Sequence, residues 1–371
     1  MKTGISNMDY FKTLFAFLIL PAALLATPQA SYVQHGIAYH ENGRFGGWPA
    51  NNGIWSWGDE IAVAFTRAYY KDRGDDHSTD PDKRNEPSIA RSFDGGVTWS
   101  IEPLVLPKGE AKPVTEPIHF NHPDFAMRVR DGSFYISYDR AHTWQGPFAF
   151  PDFKLGDRLT SRTDYLVNSA ADCTVFLSVR DEQVKSGIPD RAFAVRTRDG
   201  GLTFKFVGWM TGDEPPVARS VMPATVRAAD RTLVTLLRRR YDIESSFRND
   251  LNWIDAFTSR DDGETWTHSA RIAHTDHTGR NGNPPSLAKL HDGRLAAVYG
   301  VRSNPMGIRA RVSSDNGKTW GPEIVLRDDG RTWDLGYCRS VVRSDGKIVT
   351  VYYYTTKQHV ENHIAVTIWS P

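Results

Sequence analysis

Apolar and polar residues alternate in short runs along most of the chain, and the runs are too short for helices. Residues 132–138, 233–237, 295–299 and 348–354 are rich in Val, Leu, Tyr and Phe. Such runs, bounded by turn residues, read as β-strands. Each has its own turn beside it, as at Asp292-Gly293 and Asp345-Gly346, where Asp bonds nearby amides and Gly accepts positive φ. No amphipathic helical pattern follows the first thirty residues, so the pattern predicts an all-β chain.

A repeat is threaded through these strands. Ser92-Phe-Asp-Gly-Gly-Val-Thr-Trp99 is followed by Thr197-Arg-Asp-Gly-Gly-Leu-Thr-Phe204, Ser259-Arg-Asp-Asp-Gly-Glu-Thr-Trp266 and Ser313-Ser-Asp-Asn-Gly-Lys-Thr-Trp320. Ser137-Tyr-Asp-Arg-Ala-His-Thr-Trp144 is a degraded fifth copy, in which His142 is read at the glycine position. The common pattern, Ser/Thr-x-Asp-x-Gly-x-Thr-Trp/Phe, is an Asp box. Its Asp and Gly make a tight turn, and its aromatic can tuck between neighbouring sheets. The boxes begin at residues 92, 137, 197, 259 and 313, spacings of 45, 60, 62 and 54 residues. That period suits propeller blades of about four strands. Five boxes and one box-less stretch predict a six-bladed β-propeller. The last blade is expected to combine residues 340–354 and 363–369 with a strand near 32–39, so that both chain ends close the ring and remove an exposed sheet edge. Residues 69–87 read as a long surface loop.

The first thirty residues stand apart from this pattern. Lys2 and Lys12 precede an apolar run at 14–25, and the small residues Ala26 and Ala30 follow. A positive flank, a short apolar core and a small-residue exit describe a secretory signal. The expected organisation is therefore a signal at 1–30 and one propeller domain at 31–371, secreted or periplasmic, with no membrane span in the mature protein. The two cysteines, Cys173 and Cys338, are too few for a disulfide framework. Lys and Arg total 45 against 44 Asp and Glu, so no strong field draws the chain to nucleic acid.

Propellers bind ligands where loops from several blades meet, so site residues should be scattered in sequence. Arginines recur near strand ends: Arg44 before the first blade, Arg238, Arg239 and Arg240 in the fourth repeat, Arg302, Arg309 and Arg311 in the fifth, and Arg339. Convergent guanidinium groups bind a carboxylate bidentately and stay charged at any working pH. Strand side chains alternate, so at most one of Arg238 to Arg240 is expected to face inward. Tyr337 lies beside them in Gly336-Tyr-Cys-Arg-Ser340, where its hydroxyl could be activated for attack.

The boxes, with the stretch from Asn283-Pro-Pro-Ser-Leu287 through Tyr299-Gly-Val-Arg302 to Gly336-Tyr337, resemble the sialidase superfamily of glycoside hydrolases. The resemblance covers the whole chain after the signal. It implies three arginines that clamp a substrate carboxylate, a tyrosine nucleophile activated by an acid, and an aspartate on a mobile loop as acid/base. By position, Arg44 resembles the first arginine, Arg238 or a neighbour the second, and Arg302 or Arg309 the third. Tyr337 resembles the nucleophile and Glu361 the acid that steadies the first arginine. The acid/base is expected among Asp72, Asp75 and Asp76 in the loop 71–77. The chain departs from the family at two places. Arg44-Phe-Gly-Gly-Trp-Pro49 replaces the arginine-isoleucine-proline motif. The glutamate that should partner the tyrosine falls near Met222, within Ser220-Val-Met-Pro-Ala224, where no acid stands; Glu214 or Glu244 could reach it only through an unusual loop path.

Polar residues outside the family pattern occur at His119-Phe-Asn-His-Pro-Asp124, Arg162-Thr-Asp164, Arg140 and His142. His122, Asp124 and His142 join the candidate site, since histidine can move protons near neutral pH. The leading expectation is an exo-acting hydrolase of a terminal acidic sugar, sialic acid by default. A lyase or unusual glycosidase on a uronate would instead use Tyr337, His122 or His142 as base. A non-catalytic carbohydrate-binding propeller is the third reading. The expected partner is a glycan or acidic sugar, with no cofactor and no metal.

Overall fold

Six antiparallel sheets stand around one axis, each built from consecutive strands except the last. The computed structural model describes residue 1 and residues 29–181, 190–212, 218–240, 252–276 and 282–371. The expected signal core, Glu214 and Glu244 lie outside the described residues. Among the described residues there is no α-helix; a single 3-10 turn spans Pro49–Asn51. Among those residues no helix is long and apolar enough to cross a membrane.

Blade 1 holds Arg44–Gly47 and Gly53–Trp57, two halves of one broken inner strand, then Glu60–Tyr69, Glu86–Ser92 and Ser100–Pro103. Blade 2 has Ala126–Arg130, Ser133–Ser137 and Gln145–Ala149, one strand fewer than expected among the described residues. Blade 3 again has a broken inner strand, Arg158–Leu159 and Tyr165–Val167, followed by Cys173–Arg180, Asp190–Thr197 and Lys205–Trp209. Blade 4 runs Arg219–Arg227, Leu233–Arg240, Asn252–Ser259 and Thr267–Asp276; blade 5 runs Ser286–Lys289, Leu295–Val301, Gly307–Ser313 and Ile324–Arg327. Blade 6 joins Gly336–Val342, Ile348–Tyr354 and His363–Ser370 to the N-terminal Tyr32–Tyr39, which pairs antiparallel with His363–Ser370. Both ends of the chain thus close the ring, as the strand pattern predicts.

The boxes behave as turns. In the first, Ser92 Oγ accepts the Gly96 amide at 2.8 Å, and Asp94 accepts the Thr98 amide at 2.9 Å and hydroxyl at 2.6 Å. The box aromatics pack between blades: Trp144 meets Trp55 at 5.3 Å, Phe204 meets Phe134 at 5.8 Å, and Trp266 meets Phe176 at 6.3 Å between ring centroids. In the degraded box Ala141, not His142, takes the glycine position. Ala141 adopts φ 68 and gives its amide to Ser137 Oγ at 2.9 Å. Cys173 and Cys338 are separate buried thiols in blades 3 and 6.

The box carboxylates make acid sensitivity predictable. Burial would raise the Asp94 pKa, but the Thr98 and Ser92 hydrogen bonds outweigh it and hold it at about 2. Asp139, Asp199, Asp261 and Asp315 are lowered in the same way. A carboxyl whose folded pKa is depressed stabilises the fold above its unfolded value, roughly 4, and loses that contribution as pH falls through the folded value. Urea midpoints are therefore expected to fall between about pH 4 and pH 2. Asp94→Asn should lower the midpoint at pH 7 and flatten this fall; an unchanged slope would show that the boxes do not set it.

The topology sorts the loops onto two faces. Turns between first and second strands share one face with the boxes. Loops between second and third strands open on the other, hereafter the mouth. Tyr337 and Arg219 begin inner strands there, and Arg180, Arg238 and Arg302 lie at or just beyond the ends of second strands.

Candidate active site

Two backbone bulges build the centre of the mouth. On the inner strand of blade 6 the register shifts between Gly336 and Arg339, and Tyr337 adopts φ 53. On the inner strand of blade 4 it shifts between Val221 and Ala224, with Met222 also at φ 53. A non-glycine residue in this left-handed region is costly and is kept only where the surroundings enforce it. Here Asn283 Oδ1 accepts the Tyr337 amide at 2.9 Å, packed so closely that a Cβ on Gly336 would overlap Asn283. The bulge aims the tyrosine ring away from the regular strand direction.

Arg238 joins the two bulges. It donates to Tyr337 Oη at 3.4 Å and lies 3.8 Å from Met222 Sδ. Arg238 is only 6% exposed, and neither partner is a carboxylate. Arg302 approaches the Tyr337 ring at 5.6 Å and donates to Leu335 O at 3.3 Å and Tyr353 Oη at 2.9 Å. Burial raises the Tyr337 pKa, yet the charges of Arg238 and Arg302, the Arg238 hydrogen bond and the charge of Arg162 outweigh it, leaving the phenol below its ordinary value. For Arg238, burial lowers the pKa; Tyr337 opposes the shift, while Arg219 and Arg302 add to it.

A cavity of about 260 Å³ opens beside this pair, lined by Arg158, Arg162, Arg180, Arg219, Arg238 and Asp131 among others. Arg162 donates to Asp131 at 2.7 Å and to Asn51 at 3.2 Å. Arg180 and Arg219 share the fully buried Asp190, at 2.7 and 2.6 Å. Among the described residues, five arginines and the carboxylates of Asp131 and Asp190 stand at this cavity, so its described lining is predominantly basic. Arg339 is absent from this lining: it is buried in the inner strand of blade 6, donates to Ala50 O at 3.0 Å and Thr163 O at 2.8 Å, and so ties the broken inner strands of blades 1 and 3 together. Burial pushes neighbouring Asp164 up to about 7, against the pull of Arg339.

The expected residues divide accordingly. Tyr337, Arg238 and Arg302 come together. Arg44 reaches the mouth face but is engaged within its own blade, bonded to Glu86 at 2.8 Å and lying over the Tyr69 ring at 4.0 Å. Arg309 is likewise turned to Glu323 at 3.5 Å and to the carbonyls of Pro305 and Arg327. Glu361 accepts the Gly43 amide at 3.3 Å and approaches His40, not Arg44. Asp72 caps the Gly74 amide, Asp76 pairs with Arg73, and Asp75 is exposed; the loop residue that reaches inward is His77. Asp124, bonded to Arg140 at 2.6 Å, lies on the box face. His122, whose Nδ1 accepts the Asp124 amide, and His142, 3.8 Å from Glu102, lie there too. They cannot serve a site at the mouth. Arg158, Arg162, Arg180, Arg219 and His77 lie outside the clamp and acid/base residues that the sequence indicates. Arg162 was visible only as a residue outside the family pattern, and the others carry no local motif.

The BNR repeat-like domain model matches residues 85–350. The chain belongs to this family. Among solved structures, the BNR propeller is similar to a protein of unknown function from Dyadobacter fermentans, with 21% identity over 91% of this chain and 99% of that one and a TM-score of 0.68. It is also similar to an α-L-arabinofuranosidase of Fusarium graminearum (12% identity, 89% and 94% covered, TM-score 0.56). A third likeness is to a sialidase from Streptococcus pneumoniae (12% identity, 91% and 70% covered, TM-score 0.56). No curated protein matches the BNR propeller in sequence. At these identities the likenesses establish a shared six-bladed fold.

Proposed function

We propose that the protein is a secreted glycoside hydrolase that removes a terminal acidic sugar from a glycan, with sialic acid the first candidate. The observation that carries this reading is Arg238: a buried guanidinium with no carboxylate partner among the described residues, touching Tyr337 at the edge of an arginine-lined cavity. A buried charge left unpaired is costly, and a substrate carboxylate is the partner that would offset it. The cavity, about 260 Å³, is smaller than pockets for drug-sized ligands, roughly 300–1,000 Å³, which suits one sugar unit and exo-action. Tyr337, its phenol lowered by the arginines, supplies the nucleophile. The sialidase and arabinofuranosidase likenesses support a sugar as ligand, and the basic flank and apolar run within 1–30 support export.

One observation favours a second chemistry. Met222 occupies the bulge where the sialidase resemblance calls for the acid that activates the tyrosine. A phenolate held by arginine alone can also act as a base, drawing the proton next to the carboxylate of a uronate and so eliminating the neighbouring glycosidic oxygen. Incubation with a panel of sialosides and uronic-acid glycosides tests both. Release of free saturated sugar is expected. An ultraviolet-absorbing unsaturated product would replace hydrolysis with elimination, and binding without any product would leave a lectin-like propeller.

A further inference from the structure

His77 enters the mouth from the second-to-third strand loop of blade 1 and is fixed there more firmly than its neighbours. Its Nδ1 lies 2.6 Å from Asp334 Oδ1, and the following amide, of Ser78, donates to Asp334 Oδ2 at 3.3 Å. Asp334 is buried and also receives the Tyr353 hydroxyl at 2.6 Å. Tyr353 in turn accepts from Arg302 at 2.9 Å and packs edge-on against Tyr337 at 5.8 Å between ring centroids. The His77 ring is held on two further sides by Trp48 at 5.1 Å and Trp333 at 5.3 Å. Facing a carboxylate, Nδ1 is the donor, which leaves Nε2 to accept or donate a proton. The side chain is 38% exposed, so solvent and ligand can reach it. The acids on the same loop are exposed or turned to loop partners.

We infer that His77, oriented by Asp334, is the residue that protonates the leaving oxygen and later activates water, the work that the sialidase resemblance assigned to Asp72, Asp75 or Asp76. The inference rests on the hydrolase reading above. In the first step the Tyr337 phenolate oxygen bonds the anomeric carbon, the glycosidic C–O bond breaks, and the proton on His77 Nε2 passes to the departing oxygen. In the second, neutral His77 takes a proton from water, the hydroxide bonds the anomeric carbon, and Tyr337 leaves as phenolate. The imidazolium and phenolate present at the start are restored. Trp48 and Trp333 flank the histidine as apolar surfaces on which the leaving sugar can stack.

The test compares natural oligosaccharide substrates, which need protonation to depart, with aryl glycosides of the same acidic sugar whose acidic phenols leave unaided. His77→Gln should lower kcat/KM about a hundredfold on the former, within the span of general acid catalysis, and far less on the latter. Azide, which needs no base, should restore turnover of the aryl glycoside and yield the glycosyl azide. Asp334→Asn should show the same split. Equal losses on both substrate classes, or no azide product, would reduce His77 to a loop anchor while leaving the hydrolase reading intact. A wild-type protein that releases sugar from neither class removes that reading, and this role with it.

Discussion

Tyr337→Phe is expected to cut turnover of an acidic glycoside by at least about 10³-fold while leaving binding of the acidic sugar within a few-fold of wild type. The substitution removes one oxygen. Among the described residues that oxygen has one hydrogen-bond partner, Arg238 at 3.4 Å. The packing that holds the ring, against Tyr353 and under Arg302, belongs to the carbon skeleton and survives. So does the bulge, which is fixed by the backbone amide on Asn283. If the phenol reacts, the loss falls on kcat; if it only fills space, both constants stay near wild type. Calorimetric titration with the free acidic sugar, alongside steady-state rates, separates the two. Near-normal turnover would return Tyr337 to a structural role and move the chemistry elsewhere in the mouth.

The fold was legible because its signal is repeated and local. Each box carries its own turn chemistry within eight residues, and the aromatic that ends it reports the gap between blades. Tyr337 was legible from its place in Gly336-Tyr-Cys-Arg-Ser340 at the start of a strand and from the sialidase resemblance; the bulge that aims it was not. The clamp was harder to read. Arg44 and Arg309 look equivalent to Arg302 along the chain, yet each meets a carboxylate of its own blade, Glu86 and Glu323. Strand position says which face a side chain serves, not which partner captures it first. Arg162 and Arg219 reach the cavity because inner strands break or begin at the mouth, in blades 3 and 4. His77 depends on Asp334, which is 257 residues away. No spacing rule connects them; only ring closure does. The misreading of His142 was a register slip of one residue inside a known motif, visible once Ala141 is seen with the glycine's φ.

Arg238 presents the sharpest conflict between stability and function in the molecule. A guanidinium this buried has lost most of its hydration, and its neighbours are a thioether, a phenol and the like charges of Arg219 and Arg302. Methionine has comparable length and matches Met222 in character. Arg238→Met is therefore expected to leave the melting temperature unchanged or higher, since replacing a costly buried charge with a packed apolar side chain is often neutral or stabilising. Binding should suffer in the opposite direction. Removing one side of a buried, hydrogen-bonded charge pair costs about 2–5 kcal/mol, which is roughly 30-fold to several-thousand-fold in affinity for an acidic sugar. A neutral analogue lacking the carboxylate should bind wild type and variant alike. The phenol should respond as well. Arg238 is the largest of the influences that lower the Tyr337 pKa, so without it the phenolate forms at higher pH and any residual turnover should rise toward alkali. A variant that melts much lower and binds acidic and neutral sugars equally well would mean that Arg238 braces the two bulges and does not hold substrate.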